Sequence, residues 1–263
     1  MRARSNETAH AGSFVDFAGS RWAVAVFLVV VICGGALRLS GLKEIGLNGS
    51  DNTYYTNIAR QWSQGNHVYA VGTDRIAYYR PVIFAVYGAA VSLLGFDDTS
   101  IKAVNAYLDT GNIILVFFLA LVLSRRDPWA AASAATIYAL LPFTILVSRS
   151  ELSHTLSTST LLAAMILLAL CWSSRNRYAR LVLAFLAGVS TGLCALTHEE
   201  MIFAAAAPSI LLLLAPSPST SSLRARLAAA GCRAGSYLFG VLLIANGMLR
   251  RTYREPFVVP EKV

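Results

Sequence analysis

Long apolar runs alternate with short polar connections along this chain. Seven runs, 22–42, 103–124, 128–147, 153–173, 180–196, 201–216 and 235–249, approach the ~20 residues that cross a bilayer. Irregular backbone cannot face lipid, so each run reads as a helix. The alternating ten-residue segments of an outer-membrane barrel are absent. The pattern predicts an all-α, polytopic membrane bundle of about seven transmembrane helices, with juxtamembrane helices between the first two spans. After Asp51, the residues Tyr54, Ile58 and Trp62 recur every four positions, which suits an amphipathic helix resting on the membrane surface. Residues 81–95 are apolar but short, and read as a helix lying in or dipping into the outer interface.

Composition agrees with a membrane protein. Of 263 residues, 56% are hydrophobic and 14% charged, with a mean hydropathy of +0.57; a soluble domain carries about a quarter charged residues. The net charge of +8 would fit a nucleic-acid partner only if it were gathered in one soluble patch. It lies instead in clusters between apolar runs: Arg2, Arg4 and Arg21; Arg125 and Arg126; Arg175, Arg177 and Arg180; Arg224, Arg226 and Arg233. Basic clusters mark cytoplasmic loops, so two spans separate each consecutive pair. Residues 1–21 are then a cytoplasmic N-terminus and 22–249 a membrane module with an outer loop at 43–102. Residues 250–263 form an outer C-terminal segment, where Arg250, Arg251 and Arg254 are exceptions to the charge rule. Shorter outer loops fall at 148–152 and 197–201, and 216–222 (PSPSTSS) is a cytoplasmic loop. Without a clean small-residue cleavage site, 22–42 reads as a retained signal anchor. Cys33, Cys171, Cys194 and Cys232 lie in or beside apolar helices and form no CxxC, so neither zinc nor a disulfide framework follows.

Polar residues of chemical interest gather on the outer side of this topology. Asp51 reads first as a helix N-cap, and alternatively as a base facing an outer cavity. Arg80, after Tyr78 and Tyr79 and before Pro81, either snorkels to headgroups or holds a phosphate. Glu151, between two apolar runs, is expensive unless paired, hydrated or used; Arg149 is its nearest basic neighbour in sequence. Thr197-His198-Glu199-Glu200 has the composition of a metal site but not the HExxH spacing, and reads first as a hydrated loop and helix cap. Asp109, inside the second span, is a partner for Asn105 or Asn112, or lies close to the outer surface.

The order of these features resembles the GT-C superfamily of membrane glycosyltransferases. The likeness is strongest to the branch of protein O-mannosyltransferases and lipid A aminoarabinose transferases. An acidic first-loop motif, Asp-Glu-x-x-Tyr in that family, is matched by Asp51-Asn52-Thr53-Tyr54-Tyr55. A basic-Pro-Pro step is matched by Arg80-Pro81-Val82, and a second carboxylate by Glu151. Gly192–Glu199 is similar to the family's Gly-Leu-Ala-x-Leu-Thr segment. Asn52, Val82 and His198 depart from the pattern, and most members continue for further helices. The resemblance implies inverting transfer of a sugar from a polyprenyl-phosphate carrier to an acceptor hydroxyl on a lipid, glycan or protein, at the non-cytoplasmic face. It further implies a bacterial inner (plasma) membrane setting. Asp51 would be the general base and Arg80 the ligand of the departing phosphate. Glu151 would position donor or acceptor, or help hold a divalent metal, a cofactor that the sequence does not require. Tyr54, Tyr55, Tyr79, Arg149, His198 and Glu199 would line the substrate cavity. The alternatives are a truncated non-catalytic homologue that binds a lipid carrier or partner, and a small transporter, whose ionisable residues would sit within the membrane on broken helices.

Overall fold

The computed structural model describes residues 7–45, 50–66, 80–95, 98–198, 206–214 and 222–252. Ten α-helices occur among them: α1 (Glu7–Leu39), α2 (Ser50–Ser63), α3 (Pro81–Leu94), α4 (Asp98–Leu123), α5 (Pro128–Leu140), α6 (Pro142–Ser148), α7 (His154–Ser173), α8 (Arg177–Thr197), α9 (Ala206–Leu214) and α10 (Leu223–Thr252). No strand occurs among the described residues. Five helical stretches are long and apolar enough to cross a membrane, and a sixth span results if α5 and α6 count as one bent segment. Their outer faces carry large apolar side chains, among them Trp22, Ile32, Phe118, Phe143, Val182 and Leu242. Apolar faces on helices of this length suit a lipid surround. The chain is a multi-pass membrane protein with an all-α bundle.

Most expected spans appear with boundaries shifted by a few residues, and two differ more. The run 128–147 is not one helix. It breaks at Leu141 and bends by 60° between α5 and α6, because Pro142 has no N–H to continue the ladder and its ring opposes the preceding turn. The last helix begins at Leu223, not 235, so Arg224, Arg226 and Arg233 are helical rather than in a loop. Arg233 is buried within it. Of the run 201–216, only α9 lies within the described residues.

The pairs α1–α4 and α7–α8 are antiparallel. Phe27 stacks on Phe117 at 4.0 Å, while Arg38 pairs with Asp109 near the other end of α1. Along α7 and α8, the hydroxyl of Ser190 donates to the Thr160 carbonyl, and His154 lies against His198. In contrast, α8 and α10 run in the same direction. Ser236 donates to the Leu181 carbonyl and Tyr237 to Thr191, while Gly192 lies against Val241 and Ile244. Gly188 and Gly240 permit the close approach of these two helices: a Cβ on either would collide with backbone of the other, at Tyr237 and Phe185 respectively. Small residues of this kind let membrane helices pack backbone to backbone.

The bundle therefore has two unlike ends. Arg125, Arg126, Arg175 and Arg177 lie at one, the basic end. The connections 40–45 and 149–153 and the starts of α3, α4 and α7 meet at the other, the polar end. The apolar face of α2, which as an isolated pattern suits a membrane surface, packs instead on α3. Tyr55, Ile58, Ala59, Ile83, Phe84, Tyr87 and Val91 form one buried cluster there.

Candidate functional site

Arg80 immediately precedes α3, with Pro81 as its first residue, and it is half-buried. Its guanidinium Nη1 donates to the Tyr55 hydroxyl on α2 and lies 3.3 Å from Ser153 Oγ. The Tyr55 hydroxyl in turn is 3.3 Å from the same Ser153 oxygen. Ser153 is the N-cap residue of α7, yet its hydroxyl makes no capping bond; it faces Tyr55 and Arg80 instead. Two helix N-termini, those of α3 and α7, thus meet at one guanidinium. Unpaired N–H groups and the positive ends of the two dipoles favour an anion at such a junction. Tyr54 packs its ring edge-on to Tyr55 at 5.9 Å and to Phe84 at 6.3 Å.

Glu151 is fully buried two residues before Ser153, with Lys102 Nζ 3.3 Å from Oε1. Lys102 also donates to the Ile45 carbonyl. Asn105 Nδ2 donates to the Ser150 carbonyl at 2.7 Å and to the Tyr87 hydroxyl at 2.8 Å, and Tyr87 donates to the Leu152 carbonyl at 2.8 Å. Burial pushes the Tyr87 phenol well above its ordinary value; the Asn105 hydrogen bond opposes that rise and the Glu151 charge adds to it. The hydroxyl therefore stays a donor at any physiological pH. Side chains from α2, α3 and α4 together fix the connection 149–153.

The structure thus brings Tyr54, Tyr55, Arg80 and Glu151 to the polar end. Asp51 lies in the first turn of α2, one helical turn before Tyr55; its side chain is outside the described residues, as are Tyr79 and Glu199. Arg149 reaches away from this cluster, donating to the Ser40 carbonyl at 2.7 Å. Glu151 draws its cation from α4, not from the adjacent arginine. His198 caps the end of α8 and stacks on His154 with centroids 4.9 Å apart. Among the described residues no three His, Cys, Asp or Glu side chains gather where a metal ion could bind.

Sequence reasoning missed Lys102, Ser153 and His154 as partners at this end. It anticipated the buried Asp109–Asn112 contact but not the rest of the deeper cluster around it. Arg38, fully buried in α1, pairs with Asp109 at 2.5 Å and donates to the Gly34 and Ala139 carbonyls at 3.0 Å. Its Nη2 lies 3.2 Å from Thr144 Oγ1. Tyr138 and Asn112 donate to the other Asp109 oxygen at 2.5 and 3.1 Å. Ala139 precedes the α5–α6 break, so Arg38 satisfies a carbonyl near the interrupted ladder, as membrane interiors require. A readable signal existed. Lys102, Asn105, Asp109 and Asn112 follow spacings of three, four and three, which set them on one face of an apolar helix. All four are buried.

No protein-family model, no curated protein and no solved structure matches this chain.

Proposed function

We propose that the protein is an inverting glycosyltransferase that takes a sugar from a polyprenyl-phosphate carrier at the polar end of the bundle. The carrying observation is the junction of Arg80, Tyr55 and Ser153 where α3 and α7 begin. A departing phosphate gains negative charge, and a pre-placed guanidinium at two helix N-termini stabilises that charge as it develops. In this reading the acceptor hydroxyl gives its proton to Asp51, one turn before Tyr55. Its oxygen attacks the anomeric carbon on the face opposite the carrier. The bond from that carbon to the phosphate oxygen breaks, and the electron pair leaves with the phosphate. Glu151, enclosed with Lys102, acts by fixing the connection that carries Ser153. By the positive-inside rule the basic end is cytoplasmic and the polar end faces outward, in keeping with a bacterial inner membrane.

The test is sugar transfer from a polyprenyl-phosphate donor in liposomes. Asp51→Asn should slow transfer by at least about 10²-fold, the scale of general-base catalysis, with expression little changed: Asp51 lies inside the first turn of α2 and is not its N-cap, and a charge lost from a helix's first turn costs at most about 1 kcal/mol. Full activity in that variant removes the base assignment.

One observation favours a second reading, a small transporter: the buried Arg38–Asp109 pair beside the α5–α6 break. Broken helices and interior charges are how transporters build their sites. Solute uptake into liposomes, lost in Asp109→Asn while no sugar transfer occurs in wild type, would select it.

A further inference from the structure

The polar face of α4 ends at Asn112, against the first turn of α7, and two oxygens there have no partner among the described residues. Asn112 is fully buried. Its Nδ2 is used twice, by Asp109 Oδ1 at 3.1 Å and by the Thr155 carbonyl at 3.3 Å. Both are acceptors, which fixes the amide orientation and turns Oδ1 the other way. Among the described residues Oδ1 receives no donor, and neither does the hydroxyl of Thr155, itself 2% exposed, find a partner. The two unpaired oxygens thus belong to residues already in contact.

The Thr155 hydroxyl departs from the usual helical pattern for a local reason. Thr110, Thr136, Thr158 and Thr191 each turn the hydroxyl to the carbonyl four residues back. The residue four before Thr155 is Glu151, which stands outside the helix in the connection before α7. The usual acceptor is therefore out of place. Buried polar atoms in native proteins are almost always bonded, to protein or to ordered water.

We propose that Asn112 and Thr155 hold one internal water molecule between α4 and α7. The water donates to Asn112 Oδ1 and exchanges a hydrogen bond with Thr155 Oγ1. A neutral ligand fits better than a monovalent cation. The anion beside Asn112, Asp109, already carries Arg38 at 2.5 Å as well as two further donors. An added cation would meet that arginine without a free counter-charge. This site is independent of the proposed transfer chemistry.

The decisive measurement is a high-resolution density map of the wild-type protein in lipid. The expected result is an isolated solvent peak within about 3 Å of both oxygens. Continuous density showing Thr155 Oγ1 bonded directly to Asn112 Oδ1, or an empty site, overturns the proposal. Thermal unfolding in detergent gives a second arm. Thr155→Ser should keep the wild-type midpoint within a degree or two, and Thr155→Val should lower it by several degrees. A midpoint raised by sodium over choline, in wild type but not in Thr155→Val, would identify a cation instead and overturn the water assignment. If Thr155→Val does not fold, the wild-type map decides alone.

Discussion

Arg80 illustrates how a single side chain is held where separate elements meet. The bonds that tie it to α2 and α7 run to a phenol and a hydroxyl, and they orient the guanidinium. Arg80→Ala should weaken binding of a polyprenyl-phosphate donor at least about tenfold, the effect of a ~1.4 kcal/mol loss from one charge-assisted contact. Arg80→Lys should recover only part, because a lysine offers a point charge and not a fork. Equal donor binding in wild type and Arg80→Ala, measured on vesicles carrying the donor, would discard the phosphate role. The deeper pair makes a different demand. Arg38→Ala leaves Asp109 buried without its cation, and the expected loss is about 3–5 kcal/mol. Replacing both partners, as in Arg38→Met with Asp109→Leu, should cost less than Arg38→Ala alone, since no charge is then stranded. Unfolding midpoints of the three proteins in one detergent check this; a double variant worse than Arg38→Ala would contradict it. The sequence made Arg80 and Glu151 visible because each interrupts or borders an apolar run. It did not reveal which cation Glu151 takes, since Lys102 lies on another helix and Arg149 is only two residues away.

At the scale of elements, apolar run length located nearly every helix, because the bilayer demands about 20 apolar residues whatever surrounds them. What run length could not show was how helices end and meet. Pro142 splits a run that is apolar throughout, and α10 begins twelve residues before position 235, its arginines notwithstanding. The α8–α10 contact depends on atoms that are missing. Gly188→Val should push Tyr237 and α10 away and lower the unfolding midpoint strongly, by the several kcal/mol typical of overpacked contacts, about 1–3 or more. Gly231→Ala, on the same α10 but with nothing within 4 Å of the added carbon, should stabilise by up to about 1 kcal/mol through better helix propensity. The opposite order of the two midpoints would show that the close approach does not carry the interface.

For the whole molecule, the two ends differ in charge, and that difference sets the expected orientation. Arg125 and Arg126 are exposed at the basic end, and both hold left-handed backbone, φ 58° and 75°, in the turn that closes α4. Cysteine placed at position 126 should resist a membrane-impermeant label applied from outside, and cysteine at position 66 should react, in an otherwise cysteine-free background. Labelling at 126 with protection at 66 would invert the bundle and place the Arg80 junction in the cytoplasm. The polar end also has a history in time. Its bonds join distant parts of the chain: Arg80 to Ser153 across 73 residues, and Arg38 to Thr144 across 106. At ~5–20 residues per second of synthesis, Ser153 emerges roughly 4–15 s after Arg80. The α2–α3 pair is therefore made, and must wait, before its last partner is translated. Closure of the polar end is a late event in biogenesis, and slow translation between 80 and 153 lengthens the interval in which membrane chaperones or proteases can reach it.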